Sequence, residues 1–175
     1  MVPTDEDLVQ KSKKGDASAF GELVVRHEGK VAGVVQSMLG ATPEAEEVGQ
    51  DVFVRFYKAL EQFRGESSVS TYLTRIAINL SLNEIKKRKG KHFVFARMEE
   101  GHSVKIPDDS ADIREMVTFE VNRLEPEFQI VVALRMIEGY STEETAEILE
   151  IPLGTVLSRL SRAQKKLKAA LTRYL

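Results

Sequence analysis

The run from Gly139 to Val156 (Gly-Tyr-Ser-Thr-Glu-Glu-Thr-Ala-Glu-Ile-Leu-Glu-Ile-Pro-Leu-Gly-Thr-Val) narrows the possible folds more than any other stretch of the chain. Gly139 can stop one helix, and Ser141 with Glu144 has the spacing of a capping box that starts the next. That helix is short: it is expected to carry Ala146 and Leu149 inward and to break at 150–152. A longer helix is expected from near Gly154, because Val156, Leu160, Ala163, Leu167 and Leu171 recur at helical spacing and form one apolar stripe. The segment therefore predicts two helices joined by a tight turn.

The opposite side of the longer helix differs in kind. Thr155, Ser158, Arg159, Arg162, Lys165 and Lys166 project together, and no Asp or Glu occurs between Thr155 and Leu175. A short helix, a turn and a longer helix with a basic and hydroxyl-bearing outer side is the arrangement that lays a recognition helix in a DNA major groove. Arg can read guanine edges, Ser and Thr can bond bases or phosphates, and Lys can neutralise phosphates. On charge alone, an amphipathic helix with a solvated basic side explains the pattern equally well.

With 175 residues, 42% hydrophobic and 30% charged, the chain suits one or two small soluble domains. Its formal net charge is only −2, so affinity for nucleic acid must come from local patches. Lys86, Lys87, Arg88, Lys89 and Lys91 form one, and the last helix forms another. The absence of cysteine excludes disulfides and thiolate metal sites. No leader-like or membrane-length apolar run is present, so no membrane insertion and a cytoplasmic location are expected. An enzyme is disfavoured. His27, His92 and His102 lack metal-ligand spacing, Glu44, Glu47 and Asp51 have no partnering set, and no phosphate-binding loop is present. No catalytic residue, metal or cofactor is expected.

In chain order, Thr4 and Asp7 can cap a helix ending near Gly15. A longer one follows Asp16, carries Phe20, Leu23, Val24, Val31, Val34, Val35, Met38 and Leu39, and stops at Gly40. The third opens on Thr42-Pro43 and runs through Val48, Val52, Phe53, Phe56, Leu60 and Phe63. After a polar loop at 64–70 comes a fourth, from 71 to about 89, with Leu73, Ile76, Ala77, Leu80 and Ile85 inward. Between about 90 and 113 the periodicity fails and the composition turns acidic, which predicts a flexible linker. The expectation is an all-α protein of two small helical domains, 1–92 and 113–175, joined by a linker at 93–112, with a helix-turn-helix in the second.

Five motifs then stand in one order: Gly15-Asp16-Ala17-Ser18-Ala19-Phe20, Ala45-Glu46-Glu47-Val48-Gly49-Gln50-Asp51-Val52-Phe53, Phe63-Arg64-Gly65-Glu66-Ser67-Ser68, Tyr72-Leu73-Thr74-Arg75-Ile76-Ala77-Ile78-Asn79 and Ile151-Pro152-Leu153-Gly154-Thr155-Val156-Leu157-Ser158-Arg159-Leu160. In their sequence and separation the chain resembles bacterial extracytoplasmic-function sigma factors in their two-domain form, regions two and four.

The resemblance implies a promoter-specificity subunit that binds core RNA polymerase and directs it to particular promoters. It assigns core-polymerase binding to Glu47, Gln50, Asp51 and Phe53. Capture of the promoter element nearest the start site as single strand falls to Arg64, Ser67, Ser68, Tyr72, Arg75 and Asn79, followed by the basic Lys86, Lys87 and Arg88. The more distant element would be read as duplex, with Ser158 and Arg162 on base edges and Thr155, Arg159, Lys165 and Lys166 on phosphates. An anti-sigma factor is the expected regulator. Three positions depart from the family pattern: Tyr72 stands where Trp is usual, Leu157 where Lys or Arg is usual, and Gly49 interrupts a helix where a helix former is usual. The alternative is a stand-alone helix-turn-helix regulator that binds duplex DNA as a dimer.

Overall fold

The computed structural model describes residues 2–98 and 113–174. By contact density the chain divides into two compact units, Met1–Ser81 and Leu82–Leu175, and the division falls inside a long helix. The described residues form eight α-helices and no strand.

The first unit holds α1 (Asp5–Lys13), α2 (Ala17–Leu39), α3 (Pro43–Ala59) and the start of α4 (Val69–Met98). The starts of α1 to α3 are set locally. Thr4 and Asp7 form a reciprocal capping box, 3.1 and 3.0 Å, and the Thr4 amide holds the Asp7 carboxyl below its usual range. Asp16 caps α2 by accepting from the Ser18 and Ala19 amides, and the Ser18 hydroxyl holds its pKa down too. Thr42 caps α3 with Pro43 in the first helical position. Gly40, at φ 76, ends α2 in a conformation few side chains tolerate.

Leu23, Val34 and Val35 of α2, Val52 and Phe56 of α3, and Leu73 and Ala77 of α4 are fully buried, whereas Phe20, Val24, Val48, Phe53 and Ile76 are half-buried. Burying a ring such as Phe56 contributes about 1.5–3 kcal/mol. Around it the rings of Phe20, Phe63 and Tyr72 stand 6.0, 5.7 and 5.7 Å away, centroid to centroid. Helix α1 is pinned by Asp5, which bonds His27 at 2.8 Å and Arg26 at 3.2 Å, and by the buried Leu8 and Val9.

Helix α4 does not end near 89. It continues past Gly90 to Met98. One interior glycine costs about 1 kcal/mol of propensity, which the Lys- and Arg-rich turn before it does not reinforce into a stop. The expected linker therefore begins as helical backbone over 93–98, and the rest of it lies outside the described residues.

The second unit adds α5 (Ile113–Arg123), α6 (Pro126–Val132), α7 (Thr142–Leu149) and α8 (Leu153–Leu171). Val121, Leu124, Phe128, Val132, Ala163 and Leu167 form its core. A π-helical turn, Ala133–Ile137, extends α6 and leaves Met136 and Ile137 about half exposed. Gly139, at φ 73, closes it. The Ser141–Glu144 capping box then starts α7, at 3.0 and 2.7 Å. The buried residues of α7 are Thr145 and Ile148, not Ala146 and Leu149, which are half-buried. Tyr140, which precedes the cap, is buried as well. Glu150 ends α7 in the left-handed conformation, at φ 54.

At the far end of α8 the chain folds back on α5. Glu120, only 3% exposed, accepts from Arg173 at 3.1 Å and from the Tyr174 hydroxyl at 2.8 Å. That bond and burial hold the Tyr174 pKa above its usual value.

Candidate nucleic-acid interface

The loop after α3 is shaped by the aromatic cluster beneath it. Phe63 and Tyr72 meet edge to face at 5.0 Å, which places the end of the 3-10 turn Leu60–Gln62 against the first turns of α4. Gly65, at φ 73, turns the loop outward, and Ser68 caps α4 by accepting from the Thr71 amide at 3.0 Å. Lys13 of α1 donates to the Phe63 carbonyl at 2.7 Å and so fixes the loop from the other side.

These constraints leave an open hollow of about 350 Å³ lined by Gln62, Phe63, Arg64, Glu66, Ser67, Tyr72 and Arg75. Four of the expected single-strand contacts, Arg64, Ser67, Tyr72 and Arg75, thus meet around one space. Tyr72 is half-buried: it packs on Phe56 and Phe63 and also lines the hollow. Packing on the core therefore leaves part of the ring free to face the hollow. Ser68 is a cap, and Asn79 is exposed one turn beyond Arg75 without lining the hollow. Lys86 and Lys87 are exposed and Arg88 half-buried, and Glu84 pairs with Lys87 at 3.4 Å and with Arg88 at 3.5 Å. The side chain of Lys91 lies outside the described residues. Gln62, Phe63 and Lys13 were not anticipated in this place. The spacing of Phe56, Phe63 and Tyr72 was the available signal.

A second concavity, about 300 Å³, runs between α2 and α3, with Val24, Val31, Ala32, Gly49 and Phe53 in its lining and Glu28, Glu46 and Gln50 among its polar residues. Of the expected polymerase contacts, Gln50 and Phe53 line it. Glu47 is exposed outside it, and Asp51 pairs with Arg55 one turn on at 3.0 Å. A Cβ on Gly49 would meet no heavy atom within 4 Å, so the glycine widens this groove and relieves no internal clash.

On α8, Val156, Ala163 and Leu167 are buried, and the other two residues of the expected stripe, Leu160 and Leu171, are half-buried. Ser158, Arg162, Lys165 and Lys166 are exposed, whereas Thr155 and Arg159 are half-buried at the edge of the core. Ser158 donates to the Thr155 carbonyl at 3.1 Å. Lys166 is engaged within its own unit: it bonds Glu125 at 2.6 Å, lies 5.4 Å from the Phe128 ring centre, and holds the Glu125 carboxyl below its usual range. No helix among the described residues is long and apolar enough to cross a membrane.

Comparison with known proteins agrees with this layout. The sigma-70 region 2 family model matches residues 23–91, and the sigma-70 region 4 model matches residues 114–167. The chain is 35% identical to the ECF RNA polymerase sigma-E factor of Escherichia coli, over 93% of this chain and 91% of that protein. It is 32% identical to the protein of the same description from Haemophilus influenzae, over 94% of each. Among solved structures it resembles CnrH, determined in complex with the cytosolic domain of CnrY, with a TM-score of 0.72, 27% identity and 97% of each chain covered. It shares its fold with the sigma factor RpoE of Bartonella quintana, solved with the anti-sigma factor NepR, at a TM-score of 0.66 and 22% identity over 87% of this chain and 96% of that one. Such matches along nearly the whole chain leave the stand-alone dimeric regulator without support. With region 2 spanning most of α2 to α4, region 4 spanning α5 to α8, and relatives above 30% identity, the protein belongs to the extracytoplasmic-function RNA polymerase sigma factors.

Proposed function

We propose that this sigma factor divides promoter recognition between two surfaces, a single-strand site in the domain at 1–92 and a duplex-reading helix in the domain at 113–175. The hollow that gathers Arg64, Ser67, Tyr72 and Arg75 is the observation that carries the reading. It offers a ring for a base to stack on and cations for the flanking phosphates, which is what an unpaired strand needs. Asn79 and the run Lys86, Lys87 and Arg88 extend the same contacts along α4. The energy that separates the strands is then binding energy, so no hydrolytic step or cofactor is required, and the chain acts as a DNA-binding initiation factor in the cytoplasm and not as an enzyme.

Core RNA polymerase docks on α3, through Glu47, Gln50, Asp51 and Phe53, at the groove that Phe53 and Gly49 line. An acidic rim with a half-buried ring suits a basic helix that inserts an apolar side chain. Duplex promoter DNA meets α8: Ser158 and Arg162 address base edges, and Thr155, Arg159, Lys165 and Lys166 address phosphates. Lys166 would have to exchange Glu125 for a phosphate. An anti-sigma factor covering these surfaces is the expected regulator, and the Bartonella quintana sigma factor was solved with one bound.

Run-off transcription with bacterial core polymerase, this protein and a pool of promoter fragments tests the reading, beside a shift assay with the protein alone. Initiation only when both proteins are present is the expected result. Tight binding to a palindromic duplex by the protein alone, with no association with core polymerase, would overturn it.

A further inference from the structure

The exposed side of α8 is not uniformly polar. Leu157 is 49% exposed, and Leu153, one turn earlier, is 42% exposed. Leu157 belongs to the row Leu157, Ser158, Ser161, Arg162, Lys165, which follows the i, i+1, i+4, i+5, i+8 positions of one helix face, and every member of that row is exposed. The core-facing residues Val156, Ala163 and Leu167 lie on the other side. Leu157 is therefore no part of the core, and it sits in the first two turns of α8.

In a helix-turn-helix domain the N-terminal residues of the second helix are those that reach base edges. The major-groove edge of a base pair presents hydrogen-bond donors and acceptors and, at thymine alone among the four bases, a methyl group. A leucine there cannot satisfy a donor or an acceptor and would leave it desolvated and unpaired, whereas against a methyl group both partners lose water. The surrounding residues commit the occupant to DNA: Ser158, Ser161, Arg162 and Lys165 are hydroxyls and cations, and α8 carries no carboxylate.

We propose that Leu157 is a specificity-determining residue that packs on the 5-methyl group of a thymine in the duplex promoter element. The assignment rests on the reading of α8 as the duplex-reading helix and adds the base that one position selects. Where a Lys or Arg at this point would favour guanine, this chain favours an A·T pair with its thymine methyl toward α8.

Promoters are first selected, with core polymerase and the full-length protein, from a pool randomised across the upstream element. Each thymidine of the selected element is then replaced singly by deoxyuridine, which removes only the methyl, and initiation is measured with the wild-type protein and with Leu157→Ala. At one position the replacement lowers wild-type initiation about fourfold, the worth of one buried methyl-sized group. Leu157→Ala is weaker on the thymidine duplex and indifferent to that replacement, with an unchanged melting temperature. Leu157→Arg regains initiation on duplexes carrying guanine at the same place. The proposal is overturned if no deoxyuridine affects the wild type, if both proteins respond equally, or if the selected element lacks thymine on both strands. It is also overturned if Leu157→Ala lowers initiation, relative to wild type, by the same factor on the thymidine and on the deoxyuridine duplex, since the leucine then acts independently of the methyl and docks a protein. Failure to select any promoter with both proteins present is a different result, which removes the duplex-reading assignment itself.

Discussion

The two surfaces proposed to meet DNA are built on opposite principles. In the hollow after α3, the ring proposed to stack on a base is also a packing element: Tyr72 leans on Phe56 and Phe63, and Lys13 ties the loop backbone to α1. On α8, the exposed row from Leu157 to Lys165 stands on a helix whose packing is completed by other residues, Val156, Ala163 and Leu167. On this proposal, recognition and stability share side chains in the first region and are separable in the second. A strand that must be held out of its duplex needs a rigid receptacle, whereas a preformed duplex needs only a helix presented at the right angle.

Breaking the first surface at its root has the largest expected effect. Phe56→Ala should cost about 3–5 kcal/mol of stability in urea unfolding, because the ring is fully buried and three others pack around it. Arg162→Ala is the contrasting case. It should weaken promoter binding by about 1–3 kcal/mol in competition assays, while leaving the unfolding free energy within about 0.5 kcal/mol of wild type.

Tyr72 tests whether the two roles are coupled. Tyr72→Leu should lose about 1 kcal/mol of stability from its two ring contacts, and also the permanganate reactivity that marks melted promoter. Tyr72→Trp should keep both. Stability loss with intact melting would dissolve the comparison.

The smallest effect is acid sensitivity in the first unit. The Asp16 carboxyl is held below its usual value of 3.8, chiefly by the Ser18 hydroxyl and the Ala19 amide. Its folded pKa lies below its unfolded one, so the unfolded chain binds the extra proton. Its stabilisation is present above the usual value and fades as pH falls through the folded pKa. Asp16→Asn keeps an acceptor for the cap, so thermal unfolding should match wild type at pH 7 and decline less steeply below about pH 4.

What could be read from the sequence follows the same division. The caps at Thr4, Asp16, Thr42 and Ser141 and the stripe of α8 are local patterns, each decided within one or two turns, and the structure forms them as expected. The hollow is not local: Gln62, Phe63 and Tyr72 line one space, and the Phe56 ring, from the preceding helix, packs against Phe63 and Tyr72. Lys166 counted as an open cation in sequence, but its partner Glu125 is 41 residues away. The buried residues of α7, Thr145 and Ile148, lie one position before the expected Ala146 and Leu149. The end of α4 was misread because a single glycine is a weak stop.

The Glu120 clamp has a practical consequence for anyone who wishes to label or shorten this chain. Among the described residues, Arg173 and Tyr174 donate to a carboxylate otherwise closed off inside the second unit. Trimming back to the end of α8, or crowding the last turn with a fused reporter, would strand that charge. A fluorophore or affinity handle belongs at the other end, beside Val2, whose side chain is 78% exposed and which precedes the first cap.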